Sequence, residues 1–269
     1  MLIIDAFPFY NELNMLNYRL NVLDRFVDYF VLVESTYTHN GVPKPLFFQN
    51  AKSRFAPFLH KIIHVIVDDF PHKEQVSDGR QWENEIFQRE VGVVRGLNRI
   101  PNLSEEDFVV HSDLDEIVNP NVLKAVRDGK ITHECNTLDL DMYYYNLTSY
   151  VSQWQFPAIV KVRVARQSSC RSIRAALQNT DIVVNLIPNG GWHLSYFGDA
   201  DFVQNKIRHF AHQEFNTPNI TNRERIEDAI RTGKDIYGRD DVQIQRIPLR
   251  ENGRLPPRLD LLAQFCVEI

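Results

Sequence analysis

Apolar and polar residues follow two different periods in the first half of the chain. Short runs of apolar residues lie within 2–4, 28–34, 61–67 and 107–111. Such runs are typical of strands that are buried on both faces of a sheet. Segments 11–23 and 81–97 instead repeat apolar residues every three or four positions, which predicts amphipathic helices. A further helix is predicted to begin at Asn119-Pro120, because proline fits a first helical turn.

The second half has a different pattern. Segments 137–147 and 158–165 alternate in polarity and predict antiparallel strands. Asn189-Gly190-Gly191 predicts a turn before a strand at 192–197. Helices are predicted at 199–212 and 221–232. The order of elements favours an α/β fold, with an open sheet and helices on both faces. Since no linker or repeat divides the chain, we predict a single domain over 1–269.

Composition excludes several functional classes. The net charge is -5 and the pI is about 6.0, so no basic surface field is available for nucleic acid or an anionic membrane. The three cysteines are far apart and form no C-x-x-C pair, which argues against a disulfide framework or a zinc ribbon. We find neither a signal peptide nor an apolar stretch of the ~20 residues that a membrane helix needs. A soluble, cytoplasmic protein is therefore expected.

An acidic run carries the strongest chemical signal. Asp113 and Asp115 directly follow the apolar run at 107–111, and Glu116 comes next. Residues two apart in an extended segment point the same way, so both aspartates could bind one cation at the carboxyl end of a strand. Carboxylates suit Mg²⁺ or Mn²⁺, which keep positions open for phosphate oxygens. The alternative is a solvated loop or a helix cap without a metal.

Three functions fit such a run. In glycosyl transfer, a metal ion neutralises a nucleoside diphosphate leaving group. A haloacid-dehalogenase-type phosphatase would use Asp113 and Asp115 near a phosphoryl group, although that class carries its aspartate pair on the first strand. A catalytically inactive sugar-binding protein is the third alternative, and the intact acidic residues argue against it.

Several segments together resemble glycosyltransferase family 17. They are Asp5-Ala-Phe-Pro-Phe-Tyr-Asn-Glu-Leu, Arg19-Leu, Val27-Asp-Tyr-Phe-Val-Leu-Val-Glu-Ser, Thr38-His-Asn-Gly with Lys44-Pro-Leu, Ser112-Asp-Leu-Asp-Glu-Ile, Gly191-Trp-His-Leu-Ser-Tyr-Phe-Gly, and Lys206 with Phe210-Ala-His-Gln-Glu. The resemblance implies a GT-A-like (Rossmann-like) mixed sheet, with a nucleotide-binding half at about 1–118 and an acceptor-side half at about 119–269. It also implies inversion at the anomeric carbon, UDP-GlcNAc as the donor, Mn²⁺ or Mg²⁺, and a glycan or glycoconjugate acceptor.

The resemblance also suggests roles for individual residues. Asp115 is expected to bind the metal and Asp113 to bind the metal or the ribose, while His193, or else His212, completes the metal shell. The residues expected to contact the nucleotide sugar are Asn11, Glu12, Glu34, Ser35, Lys44, Arg89 and Trp192. A helix cap, a turn, an exposed helix arginine or a core tryptophan would explain these residues equally well.

An inverting reaction also needs a general base. The acidic candidates are Glu116, Asp199, Asp201 and Glu214, and sequence spacing does not choose among them. We place Asp115, Glu116 and Glu214 in the expected catalytic set. Tyr143-Tyr144-Tyr145 could line an acceptor groove, or could simply alternate between the core and the surface.

Overall fold

The computed structural model describes residues 1–167 and 184–265, which form a ten-stranded sheet with flanking helices. The strands are β1 (Ile3–Phe9), β2 (Tyr29–Ser35), β3 (Ile62–Val67), β4 (Phe108–His111), β5 (Glu116–Val118), β6 (Cys135–Tyr144), β7 (Ser149–Trp154), β8 (Ala158–Lys161), β9 (Asn185–Ser195) and β10 (Gln245–Arg246). The helices are α1 (Leu13–Leu23), α2 (Phe47–Asn50), α3 (Gln81–Leu97), α4 (Pro120–Arg127), α5 (Val162–Gln167), α6 (Ala200–His209), α7 (Arg223–Thr232) and α8 (Leu259–Leu262). Short 3₁₀ segments lie at Lys52–Phe58, Gln213–Phe215, Leu249–Glu251 and Ala263–Phe265. Within these ranges, no helix combines the length and the apolar character that a membrane crossing requires.

The sheet is open and mixed. Its order is β10-β7-β6-β8-β4-β1-β2-β3, and β9 pairs with both β5 and β6. The strands β4, β1, β2 and β3 are mutually parallel. The direction reverses at β8, which is antiparallel to both β4 and β6. The predicted α/β class is confirmed, with a parallel first half and a largely antiparallel second half.

The helices cover both faces of this sheet. On one face, α1 and α4 pack against apolar side chains of β1, β2 and β6. On the other face, α3 packs against the opposite side chains of β1 and β2. This second contact is unusually close, because a Cβ atom on Gly92 or Gly96 would lie 2.3 or 2.2 Å from a methyl group of Val33 or Val31. Helices on both faces, as predicted, are therefore confirmed.

Two local predictions are wrong. The segment 158–165 is not one strand, because β8 ends at Lys161 and the chain continues as α5. Lys161 pairs with the first residue of β4, Phe108, so the partner strand extends no further. The expected turn at Asn189-Gly190-Gly191 lies inside β9. A Cβ atom on Gly191 would lie 2.0 Å from the carbonyl oxygen of Ile117, so this glycine permits a close strand pairing and makes no turn.

A buried ion pair joins α1 to β1 and to the acidic run. Arg19 and Asp5 are both 0% exposed, and the guanidinium donates to the two carboxylate oxygens of Asp5 at 2.8 and 2.5 Å. Its Nη1 atom also donates to the main-chain carbonyls of Asp113, Leu114 and Glu116, at 2.7, 3.0 and 2.9 Å. One side chain therefore fixes the path of the loop between β4 and β5.

We expect Arg19→Met to destabilise the protein by about 3–5 kcal/mol, because the substitution leaves Asp5 buried without its cation. Urea unfolding, followed by circular dichroism, measures the change. Arg25→Met is the matched control, since Arg25 is exposed just beyond α1. A midpoint for Arg19→Met that equals the Arg25→Met midpoint would contradict the structural role of the buried pair.

Candidate functional site

The first acidic side chain of the loop pairs with α3. Asp113 follows β4, and its Oδ1 accepts from Nε and Nη2 of Arg89, at 3.1 and 2.5 Å. Arg89 also pairs with Glu85 one helical turn away, at 2.9 Å. The Asp113 side chain is 28% exposed. The Asp113 carboxylate is therefore partly exposed to solvent beside the Arg89 guanidinium, a group that can also bind an anion.

The second acidic side chain pairs with the C-terminal half of the chain. Oδ2 of Asp115 accepts from Nζ of Lys206 on α6 at 2.8 Å, and Oδ1 lies 3.6 Å from Nε2 of His193 on β9. Burial alone would raise the pKa of the Asp115 carboxyl, but Lys206 and then His193 outweigh it, so the pKa is lowered. The pKa of Lys206 is raised, because Asp115 and Glu12 outweigh the effect of its burial. Both groups are therefore charged at neutral pH.

These residues line one cleft of about 630 Å³, between the carboxyl ends of the parallel strands and the C-terminal half. The cleft collects many of the side chains that the sequence suggested. They are Glu12, Ser35, Lys44, Arg89, Asp113, Asp115, His193 and His212. Tyr144 also lines it, whereas Tyr145 lines a neighbouring cleft and Tyr143 is buried. The carboxyl ends of parallel strands are where open α/β sheets bind ligands.

Other suggested nucleotide contacts lie elsewhere. Glu34 is fully buried, and its Oε1 accepts from the amide of Phe48 at 2.8 Å, so it fixes the start of α2. Trp192 lines a separate cleft and donates to the carbonyl of Arg254 at 2.6 Å. Asn11 lines the smaller cleft next to the main one. The structure therefore does not bring these three side chains to the acidic run.

The four candidate general bases lie in different parts of the structure. Glu116 is fully buried, and its two carboxylate oxygens accept from the amide of Asp113 at 2.5 Å and from the indole of Trp154 at 2.6 Å. The other three lie near the ends of helices or on the surface. Asp199 caps α6, Asp201 pairs with Arg223, and Glu214 is an exposed partner of His212. None of the four is among the residues that line the main cleft.

The structure also places at the site several side chains for which the sequence predicts no role. Lys206 appeared only as part of a matching segment, yet it contacts Asp115 directly. His39 donates to or accepts from Gln88 at 2.8 Å at the cleft wall, and Trp154 packs beside His193 with ring centroids 4.9 Å apart. The contact between Lys206 and Asp115 joins residues that are 91 positions apart, so no local periodicity in the sequence predicts it.

The expected metal ligands fit a cation in part. Asp115 and His193 are 3.6 Å apart, close enough to contact one ion, and a carboxylate with an imidazole suits Mn²⁺. Nδ1 of His193 is buried and has no hydrogen-bond partner among the residues that the structure describes. Asp113 is directed at Arg89, and residues 1–167 and 184–265 contain no preformed group of three or more ligands. Asp115 and His193 are thus the pair that could hold a metal ion.

Comparison with known proteins identifies relatives. A sequence model described as "Glycosyltransferase family 17" matches residues 2–240. Two curated relatives, from Rattus norvegicus and Homo sapiens, are named β-1,4-mannosyl-glycoprotein 4-β-N-acetylglucosaminyltransferase; each is 33% identical over 119 residues, 43% of this chain. The match spans about a fifth of their length, at 21%. A crystal structure of S. aureus TarS 1-349 shares 11% identity and a TM-score of 0.41 with this chain, covering 84% of this chain and 69% of that one.

We expect Glu116→Gln to destabilise the protein by about 1–3 kcal/mol, because an amide oxygen and nitrogen cannot accept from both Asp113 and Trp154. Urea unfolding followed by tryptophan fluorescence measures this, since Trp154 is one partner. Glu214→Gln is the control, because Glu214 is exposed, and we expect almost no change. Equal stability of the two variants would show that Glu116 has no structural role.

Proposed function

The chain belongs to glycosyltransferase family 17, and we propose that it transfers N-acetylglucosamine from UDP-GlcNAc to a glycan acceptor with inversion. Family membership favours a transferase over the phosphatase and over a pure sugar-binding protein. The transferred N-acetylglucosamine and the β linkage are proposed from the names of the curated relatives, and UDP as its carrier is proposed from the resemblance to the family. The observation that carries the proposal is the acidic loop, which presents Asp113 and Asp115 to one cleft beside cationic side chains.

The diphosphate is proposed to bind at the acidic loop. Arg89 from α3 and Lys206 from α6 each lie within hydrogen-bond distance of a different aspartate of the loop. Guanidinium and ammonium groups bind phosphate oxygens well. Asp115 and His193 would hold the metal ion. When bound, that ion would neutralise the negative charge that develops on the leaving group.

The nucleoside is proposed to occupy the side of the cleft nearest β1 and β2. Ser35 and Lys44 line that side, and Nζ of Lys44 lies 5.5 Å from the ring centroids of both Tyr10 and Phe47. Aromatic walls and few polar groups are typical of nucleotide pockets.

The transfer itself is proposed as one displacement. The acceptor oxygen forms a bond to the anomeric carbon, the bond from that carbon to the diphosphate oxygen breaks, and UDP leaves with the electron pair. A general base takes the acceptor proton. We propose Glu12 for this role in place of Glu116 and Glu214, because Glu12 lines both the main cleft and its neighbour. Its Oε1 lies 3.7 Å from Nζ of Lys206.

We expect UDP and Mn²⁺ together to raise the melting temperature by several degrees, and each alone to raise it little. A ligand at a hundredfold excess over its Kd adds about 2.7 kcal/mol, and 1 kcal/mol moves a chain of this size by roughly 2–4 °C. Differential scanning fluorimetry with UDP, GDP and ADP measures the shift. Asp115→Asn should abolish the joint shift, while Asp128→Asn, an exposed residue after α4, should retain it. No added stability from UDP over Mn²⁺ alone would refute the donor assignment.

We also expect UDP affinity to fall as the pH rises through about 8. Burial lowers the pKa of the Lys44 ammonium to about 8, and Glu34 and Glu12 oppose this only in part. The negatively charged UDP favours the protonated form of this lysine in the same cleft, so affinity should decrease by up to about tenfold between pH 7 and pH 9 as that form is lost. Binding at pH 8.5 should take up a proton, which calorimetry in two buffers with different ionisation enthalpies detects.

Lys44→Met tests the assignment of this titration. The variant should bind UDP more weakly at pH 7, with an affinity that no longer depends on pH between 7 and 9. Lys124→Met, at an exposed position on α4, should keep the wild-type pH dependence. A pH dependence that survives in Lys44→Met would assign the titration to another group.

A further inference from the structure

Lys206 occupies a central position in the cleft. It lies on α6 with its side chain 21% exposed, and Nζ is 2.8 Å from Asp115 and 3.7 Å from Glu12. The ammonium also lies 5.5 Å from the ring centroid of Tyr196. An ammonium group has three N–H donors, and the Glu12 distance is longer than a hydrogen bond. Lys206 therefore has the capacity to donate to a further acceptor in the cleft.

Charges around the cleft are balanced before any ligand binds. Its lining carries the acids Glu12, Glu85, Asp113 and Asp115 and the bases Lys44, Arg89, Lys206 and Arg239. Two of these bases are held firmly by carboxylates. Arg89 pairs with Asp113 and Glu85, and Arg239 makes two bonds to Asp235, at 3.1 and 2.8 Å. A diphosphate adds negative charge to this balance, so its arrival favours either a shift of a lysine or the entry of another cation.

Lys206 and a metal ion would compete for the same carboxylate. Oδ1 of Asp115 lies 3.6 Å from Nε2 of His193, and its other oxygen, Oδ2, already accepts from Lys206. A fixed ammonium at this distance disfavours a second cation through Coulomb repulsion. A diphosphate oxygen that accepts from Lys206 would weaken that obstacle, because part of the ammonium charge would then be neutralised.

We propose that Lys206 is a diphosphate-binding residue that shifts from Asp115 to a phosphate oxygen when the nucleotide binds, and so opens Asp115 to the metal ion. The inference rests on the proposed function and deepens it, because it assigns the coupling between nucleotide and metal to one side chain. By linkage, the nucleotide raises metal affinity by the same factor as the metal raises nucleotide affinity. Lys206 thus positions two ligands and takes no part in bond making.

The test uses three variants of the full chain. Lys206→Met removes the charge and keeps the length of the side chain, Lys206→Arg keeps the charge, and Lys124→Met is the exposed control. Calorimetry measures UDP affinity in EDTA and again in Mn²⁺. Electron paramagnetic resonance of free Mn²⁺ measures metal affinity without nucleotide. Melting curves show that each variant is folded.

Opposite changes in two affinities are expected for Lys206→Met. UDP affinity in EDTA should fall about tenfold or more, since a charge-assisted hydrogen bond is lost. Affinity for Mn²⁺ alone should rise by about threefold or more, because the competing charge is gone. Lys206→Arg should bind UDP within about threefold of the wild type, since its guanidinium also binds phosphate. Lys124→Met should match the wild type in both titrations.

Three results would overturn the inference, and they differ from one another. Unchanged UDP affinity of Lys206→Met in EDTA would refute the phosphate contact while leaving the proposed function in place. A parallel loss of UDP and Mn²⁺ affinity would show that Lys206 only supports the position of Asp115. A wild-type chain that binds UDP neither in EDTA nor in Mn²⁺ would refute the proposed function and this inference together.

Discussion

The acidic loop depends on one buried guanidinium. Arg19 distributes its N–H donors over the carboxylate of Asp5, the hydroxyl of Ser112 and three main-chain carbonyls, two in the loop and one at the start of β5. Buried carbonyls need such partners, and a loop offers them no helix or sheet neighbours. Because these carbonyls point inward at Arg19, the side chains of Asp113 and Asp115 point outward and line the cleft. A buried cation of this kind is stable only with a carboxylate beside it, so Asp5 on β1 is part of the same requirement.

The same constraint explains why the cleft is rich in opposite charges. Asp113 and Asp115 are close in sequence and in space, and two carboxylates so placed repel each other. The protein offsets this with cations from two separate elements, Arg89 on α3 and Lys206 on α6. The cation that pairs with Asp113 thus comes from a helix packed on the parallel half of the sheet, and the cation that pairs with Asp115 comes from the C-terminal half. Each carboxylate of the acidic loop therefore has a cationic partner at the cleft wall.

The sequence predicted those parts of the fold that have a local period. Helix α3 was predicted at its observed limits, 81–97, because its apolar and polar residues alternate with a helical period over seventeen positions. The strand before the acidic run was also predicted, because a short apolar run ends directly at charged residues. Gly190 and Gly191 predict a turn, because glycine pairs are common in turns. In the structure they instead permit a close contact between strands.

The site was less predictable, because contacts between distant segments have no such period. Glu34 ends a strand as a nucleotide contact would, but its carboxylate is used inside the protein by α2. Lys206 belongs to an amphipathic helix, and nothing in that helix indicates that Asp115 is its partner. The sequence therefore predicts that a residue lies at the end of a strand more reliably than it predicts what the side chain contacts. The side chain's direction depends on neighbours that only the folded chain supplies.

Strand register finally connects these distant parts. β9 pairs with β5 so that His193 lies opposite Glu116, the residue after Asp115, and the amide of Leu194 donates to the carbonyl of Asp115 at 2.8 Å. A slip by one residue would turn His193 to the other face of the sheet. Gly191 resists such a slip, because its φ of 146° and its contact with Ile117 both exclude a side chain. The glycine that looked like a turn residue therefore fixes the register that brings His193 to Asp115.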